Sequence, residues 1–144
     1  MAILKVCPAV LRWANGAREI LVFTHPLAGV QVVKGTIEAG EDVEAAGRRE
    51  LSEEAGVEGL PLLGTLAASY RIAPGQLWHF LLLSGEGLPE RWAHHCADDG
   101  GHDFAFFWHR LDYSPDDRWH EIFKHALAHI KAGAADQPPF AGRT

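Results

Sequence analysis

Apolar and polar positions along this chain follow two periods, one of strands and one of helices. Residues 3–13 are rich in Ile, Leu and Val and predict a strand. Asn15-Gly16 follows, a pair suited to a type I′ turn because both central residues need positive φ. The spacing predicts a returning strand over 19–24, and its run Ile20-Leu21-Val22-Phe23 is apolar throughout, which demands cover on both faces. Residues 25–29 read as a loop and 30–33 as a short strand. Residues 43–55, rich in Ala, Glu, Arg and Leu, predict a helix with Asp42 as N-cap and Gly56 as its stop. Residues 62–72 and 77–84 predict a second hairpin around Pro74-Gly75. Then come a loop over 85–90, an irregular polar segment over 91–103 and a strand over 104–111. Trp119, Ile122, Phe123, Ala126, Leu127 and Ile130 recur at three- and four-residue steps. They predict a last helix over 117–131, capped by Ser114 or Asp116. Mixed strands with two helices predict an α/β fold, a sheet sandwiched between helices. Residues 1–132 read as one domain and 133–144, with Pro138-Pro139, as a flexible tail.

Composition narrows the function classes. A chain of 144 residues has room for one proper core, and 47% apolar with 22% charged residues is ordinary for a globular protein. The net charge of −6 argues against binding a nucleic-acid polymer, whose backbone selects basic surfaces. It leaves a nucleotide substrate open, because a bound cation inverts the local sign. Cys7 and Cys96 form no disulfide framework or metal motif and read as reduced, packed thiols. No signal-peptide pattern opens the chain, and no apolar run approaches the ~18 residues of a membrane span. A cytoplasmic location with no membrane partner is the expectation.

One stretch does not read as folding alone. On a 3.6-residue repeat, Glu50, Glu53, Glu54 and Val57 fall on adjoining positions of one helix face. Three carboxylates crowded there repel one another, and a hard divalent cation with oxygen ligands relieves that repulsion. A solvated acidic face is the bland alternative. It leaves the frame unexplained: Gly35, five residues, Glu41, seven residues, then Arg49-Glu50-Leu51-Ser52-Glu53-Glu54-Ala55-Gly56-Val57. This stretch resembles the Nudix box, G-x5-E-x7-R-E-aliphatic-x-E-E-x-G-aliphatic, at every defined position. Seven fixed residues at roughly 1 in 15 usage give a chance match on the order of 10⁻⁸ per position. Many Nudix proteins carry a proline where Val33 stands, a departure that touches none of the chemistry. Weaker similarity extends over about 3–131.

The resemblance implies an α/β/α sandwich and a metal-dependent pyrophosphohydrolase acting on a nucleoside diphosphate linked to another moiety. It implies Glu50, Glu53, Glu54 and the carbonyl of Gly35 as ligands for Mg²⁺, with Mn²⁺ as a substitute. Arg49 would hold a carboxylate in place and reach Glu41. Glu50 is the favoured general base, with Asp98, Asp99, His102 and Asp103 as alternatives from beyond the box. Tyr70, Arg71, Trp78, His79 and Phe80 on the second hairpin, and Trp92, are candidate substrate contacts, although core packing also accounts for Trp78, Phe80 and Trp108. His125 and His129 stand four apart on the last helix without a third ligand, and a solvated face accounts for them. The expected partner is a small diphosphate compound, and the resemblance admits a homodimer. The contrasting reading is a catalytically silent Nudix-fold module that binds or senses a nucleotide. A damaged box would favour it, and this box is intact.

Overall fold

The computed structural model describes residues 1–97 and 100–135. The alternative bases Asp98 and Asp99, and residues 136–144 of the expected tail, lie outside the described residues. Strand β1 (Ile3–Ala14) turns through Asn15 and Gly16, at φ 53° and 75°, into β2 (Ala17–His25). Short strands β3 (Gly29–Gln31) and β4 (Gly35–Thr36) lead to α1 (Val43–Ala55). Strands β5 (Leu62–Ser69), β6 (Gln76–Ser84), β7 (Trp92–Cys96) and β8 (His102–Arg110) precede α2 (Glu121–Ala134).

The strands form one mixed sheet in the order β5-β6-β1-β2-β8-β7, with β3 paired to β2 and β4 to β1. β1 and β6 run parallel, and the other pairs are antiparallel. Alternate residues of each strand face opposite helices. Ile20 and Val22 join the core that holds Phe123, Leu127 and Ile130 of α2. Leu21 and Phe23 join the core that holds Ala46, Leu51 and Ala55 of α1. The expected two-sided cover of residues 20–23 and the α/β/α sandwich both follow. Cys7 and Cys96 are buried and form no disulfide, and burial raises the Cys7 pKa well above the ordinary range.

The partner of β1 changes along its length, and this opens the site. Lys5 and Val6 pair with Thr36 and Gly35, whereas residues from Leu11 to Ala14 pair with β2. At the first end β4 lies beside β1, while Phe23, Thr24 and His25 of β2 pair with β3.

Three local expectations need correction. Residues 92–96 form a strand rather than irregular chain. Their inward positions are Trp92, His94 and Cys96, so the two-residue alternation carries little hydropathy contrast. α2 begins at Glu121, after His120, which makes no side-chain cap bond. Asp116 instead accepts from the backbone N–H of Arg118 at 3.0 Å and pairs with its guanidinium at 2.8 Å, making a turn. Trp119 bridges Val30 in that connection. The helix runs on to Ala134, whose carbonyl accepts from the Arg18 guanidinium.

Candidate active site

Helix α1 is fixed at both ends by the residues its sequence suggests. The Asp42 carboxylate accepts from the Ala45 N–H at 2.7 Å, and Gly56 adopts φ 70° to stop the helix. Along its sheet-facing side lies Glu50, 7% exposed. Its carboxyl occupies the space beside Gly35 so fully that a Cβ on Gly35 would overlap it. The glycine is required by this close approach.

Arg49 organises the acids. Its Nε and Nη2 donate to the two oxygens of Glu41 at 2.7 and 3.0 Å. Its Nη1 donates to Glu50 at 2.8 Å and to Glu53 at 3.3 Å, and its Nη2 also donates to the Thr36 carbonyl at 3.0 Å. One guanidinium thereby ties the motif loop, the strand before it and the helix together. The two hydrogen bonds from Arg49, helped by the Glu38 N–H, pull the Glu41 pKa down to about 2. The Arg49 pKa rises in turn, first through Glu41.

Beside these acids is a cleft of about 500 Å³. Glu50 and Glu54 of α1 line it, with Gly35 and Thr36 of β4. Lys5, Lys34, His25 and His102 also line it, as do Gln31 and the edge of Phe104. Lys5 donates to the Thr36 hydroxyl at 2.7 Å. Burial lowers the Lys5 pKa, the neighbouring Lys34 charge lowers it further, and Glu50 opposes both. Two carboxylates and two ammoniums therefore meet in one concavity, a place suited to an anion carrying a counter-cation.

Glu53 does not share that cleft. It is turned over the helix rim, toward a groove lined by Arg48, Ser52 and Leu60, and stays in reach of Arg49. Among the described residues, no three His, Cys, Asp or Glu side chains gather closely enough to hold a metal ion as they stand. The donor chemistry nonetheless fits a hard cation: Glu50 and Glu54 face the cleft, the Gly35 backbone is bare beside them, and every donor is oxygen.

The remaining sequence candidates separate by position. His102 lines the cleft, but Asp103, the next residue on β8, faces away and bonds His95 at 2.7 Å. Trp78 is fully buried against Phe80 and Phe123, and its Nε1 donates to Gln76 at 2.8 Å. It is a core residue rather than a substrate contact, as is Phe80. Tyr70 and Arg71 are exposed in the connection after β5, and His79 lies on β6, so none of them lines the cleft. Trp92 stacks on Phe106 and donates to the Ala55 carbonyl at 3.0 Å. His129 bonds the Ala67 carbonyl at 2.8 Å, and His125 is exposed. Sequence reasoning missed Lys5, Lys34, Gln31 and His25. Only Lys34 carried a signal, its place next to Gly35.

A family model described as NUDIX domain matches residues 6–129. The chain belongs to the Nudix family. Family and fold support a hydrolase acting on pyrophosphate bonds of nucleotide-like compounds, and Nudix hydrolases generally use divalent metals. Solved structures with the same fold include an ADP-ribose pyrophosphatase from Streptococcus suis, at TM-score 0.63 and 16% identity, with 97% of each chain covered. The NUDIX domain of Shewanella oneidensis NrtR complexed with ADP ribose matches at TM-score 0.58 and 13% identity, over 92% of this Nudix chain and 88% of that one. The Ap4A hydrolase of C. elegans matches at TM-score 0.54 and 17% identity, over 78% and 83%. A comparison with curated protein sequences found no match. No helix among the described residues of this Nudix protein is long and apolar enough to cross a membrane.

Proposed function

We propose that this chain is a Mg²⁺-dependent pyrophosphohydrolase that cleaves the diphosphate linkage of a nucleoside diphosphate joined to another moiety. The observation that carries the reading is the fixed Glu50 carboxyl, laid against bare Gly35 and held by Arg49 in a cleft that also presents Lys5 and Lys34. In this reading Glu50, Glu53, Glu54 and the Gly35 carbonyl hold Mg²⁺, or Mn²⁺ in its place. When bound, the metal neutralises phosphate charge and acidifies a coordinated water.

The chain's own residues supply the rest. Arg49 positions Glu50 and Glu53, and Glu41 anchors Arg49. Lys5 and Lys34 offset the negative charge of the diphosphate from beside Thr36 and Gly35. Glu50 takes the proton of the attacking water. Of the alternatives from beyond the box, His102 is the one among the described residues that lines the cleft, and Asp103 faces away from it. The structural relatives described with ADP ribose lend support to a nucleotide-derived substrate.

The test is product release from a panel of nucleoside diphosphate derivatives, comparing wild type with Glu53→Gln and Glu54→Gln. A fall of about 100-fold or more in kcat in both variants is expected. Tight nucleotide binding without turnover at any Mg²⁺ or Mn²⁺ level makes the chain a binding module instead.

A further inference from the structure

We infer that His25 and His102 seat the nucleobase of the substrate by ring stacking, an assignment that rests on reading the cleft as a nucleoside diphosphate site. A row of aromatic rings starts in the core under α1. Trp92 lies on Phe106 with ring centroids 5.2 Å apart and planes within 8°. Phe106 meets Phe23 at 5.0 Å, and Phe23 stacks on Phe104 at 4.5 Å. Phe104 meets His25 at 5.2 Å, and His25 meets His102 at 4.8 Å. Six rings from β2, β7 and β8 thus form a continuous ladder.

The ladder changes character where it reaches the cleft. Phe23, Phe104 and Phe106 are buried, whereas His25 and His102 are partly exposed and line the opening. Rings with two side-chain torsions, braced from below, offer contact area at small entropic cost. Strand pairing sets their positions, since Thr24, next to His25, pairs with Ala105, three residues from His102 on β8. The Leu27 N–H donates to His25 Nδ1 at 3.0 Å, so neutral His25 carries its proton on Nε2 and its ring is held in one orientation.

The residues lining the cleft divide by chemistry. Glu50, Glu54, Lys5 and Lys34 deal with the diphosphate. The imidazole pair is the end backed by aromatic carbon, and it suits a flat heterocycle better than a tetrahedral phosphate. Gln31, paired with Phe23 across β2 and β3, lines the same cleft and offers an amide to a ring edge.

The test is equilibrium binding of two non-hydrolysable ligands to the full chain in Mg²⁺. One is α,β-methylene-ADP, and the other is methylenediphosphonate, which has no ring. His25→Ala and His102→Ala are expected to weaken the nucleotide about tenfold and leave the ringless ligand within about twofold. Undiminished binding of the ringless ligand also shows that the site is folded. His102→Phe is expected to restore the nucleotide to near wild-type affinity, because it keeps the ring and discards the nitrogens. Equal weakening of both ligands assigns the histidines to phosphate and overturns the inference. So does His102→Phe binding the nucleotide as weakly as His102→Ala, or alanine variants that bind it like wild type. Failure of the enzymatic reading looks different: wild type hydrolyses no diphosphate, while the ring-dependent difference in binding persists.

Discussion

The carboxyl of Glu50 fills the place where a side chain on Gly35 would begin. Each residue constrains the other, because Glu50 is also gripped by Arg49 at 2.8 Å and cannot simply swing away. Gly35→Ala is therefore expected to displace an acid at the centre of the cleft. A displacement of about 1 Å in such a group costs on the order of 100-fold in rate. We expect kcat/KM to fall by about that factor, with stability lowered by about 1–3 kcal/mol. Steady-state kinetics and urea unfolding on the same preparation check both. A variant with wild-type kinetics removes Glu50 from the working geometry.

Glu41 makes stability depend on acid. Its pKa falls from the ordinary 4.5 to about 2, chiefly through the Arg49 hydrogen bonds. Between those values the unfolded chain binds a proton that the folded chain does not. The contribution is thus fully present above about pH 4.5 and is lost as pH falls toward 2. Asp112, Asp116 and Glu90 are lowered too, by Arg110, Arg118 and Arg12, so wild type alone does not isolate the effect. Glu41→Gln removes one such carboxylate and is expected to flatten the stability curve in this window. Urea midpoints from pH 6 to pH 2.5 measure it. Parallel curves for the two proteins would show that the Arg49–Glu41 pair adds nothing.

The acidic part of the candidate site was legible in the sequence, and the lysines and histidines that line the cleft with it were not. Glu50, Glu53 and Glu54 sit on one helix, where spacing fixes relative position, and Gly35 and Glu41 belong to the same short frame. The expected reach of Arg49 to Glu41 is what the structure shows. Lys5, His25 and His102 come from β1, β2 and β8, and no sequence interval links them. Strand parity decides between His102 and Asp103, and it needs the register of β8, which a weakly alternating neighbour such as β7 did not announce. The aromatic second hairpin drew attention for its composition. Trp78 and Phe80 are aromatic there because α2 packs on them.

Metal binding is expected to stabilise the fold. In the proposed reading a cation shared by Glu50, Glu53 and Glu54 needs α1 folded against Gly35, so it binds the folded state in preference to the unfolded chain. At about 100 times its Kd, such a ligand adds ~2.7 kcal/mol. For a domain of this size that raises Tm by several degrees. Mg²⁺ and Mn²⁺ titrations followed by thermal unfolding test this. Glu54→Gln is expected to lose most of the shift while its metal-free Tm stays close to wild type. An equal shift in the variant places the bound ion elsewhere.

Gly47 supplies a test of packing that is independent of the chemistry. Glycine inside a helix costs ~1 kcal/mol against alanine, so Gly47→Ala on propensity alone is a gain. The structure reverses the expectation. A Cβ there would stand 2.5 Å from Leu81 Cδ1 and 3.4 Å from Val6 Cγ2. Leu81 is 1% exposed and Val6 is fully buried, so neither has solvent to move into. Overpacking of this kind costs ~1–3 kcal/mol, which exceeds the propensity gain over most of that range. Gly47→Ala is expected to lower stability by about 1 kcal/mol and Gly47→Val by about 3 kcal/mol. Urea unfolding gives the sign directly. A more stable Gly47→Ala protein would mean that α1 has slack against the sheet, and the tight seating of Glu50 beside Gly35 would then need another cause.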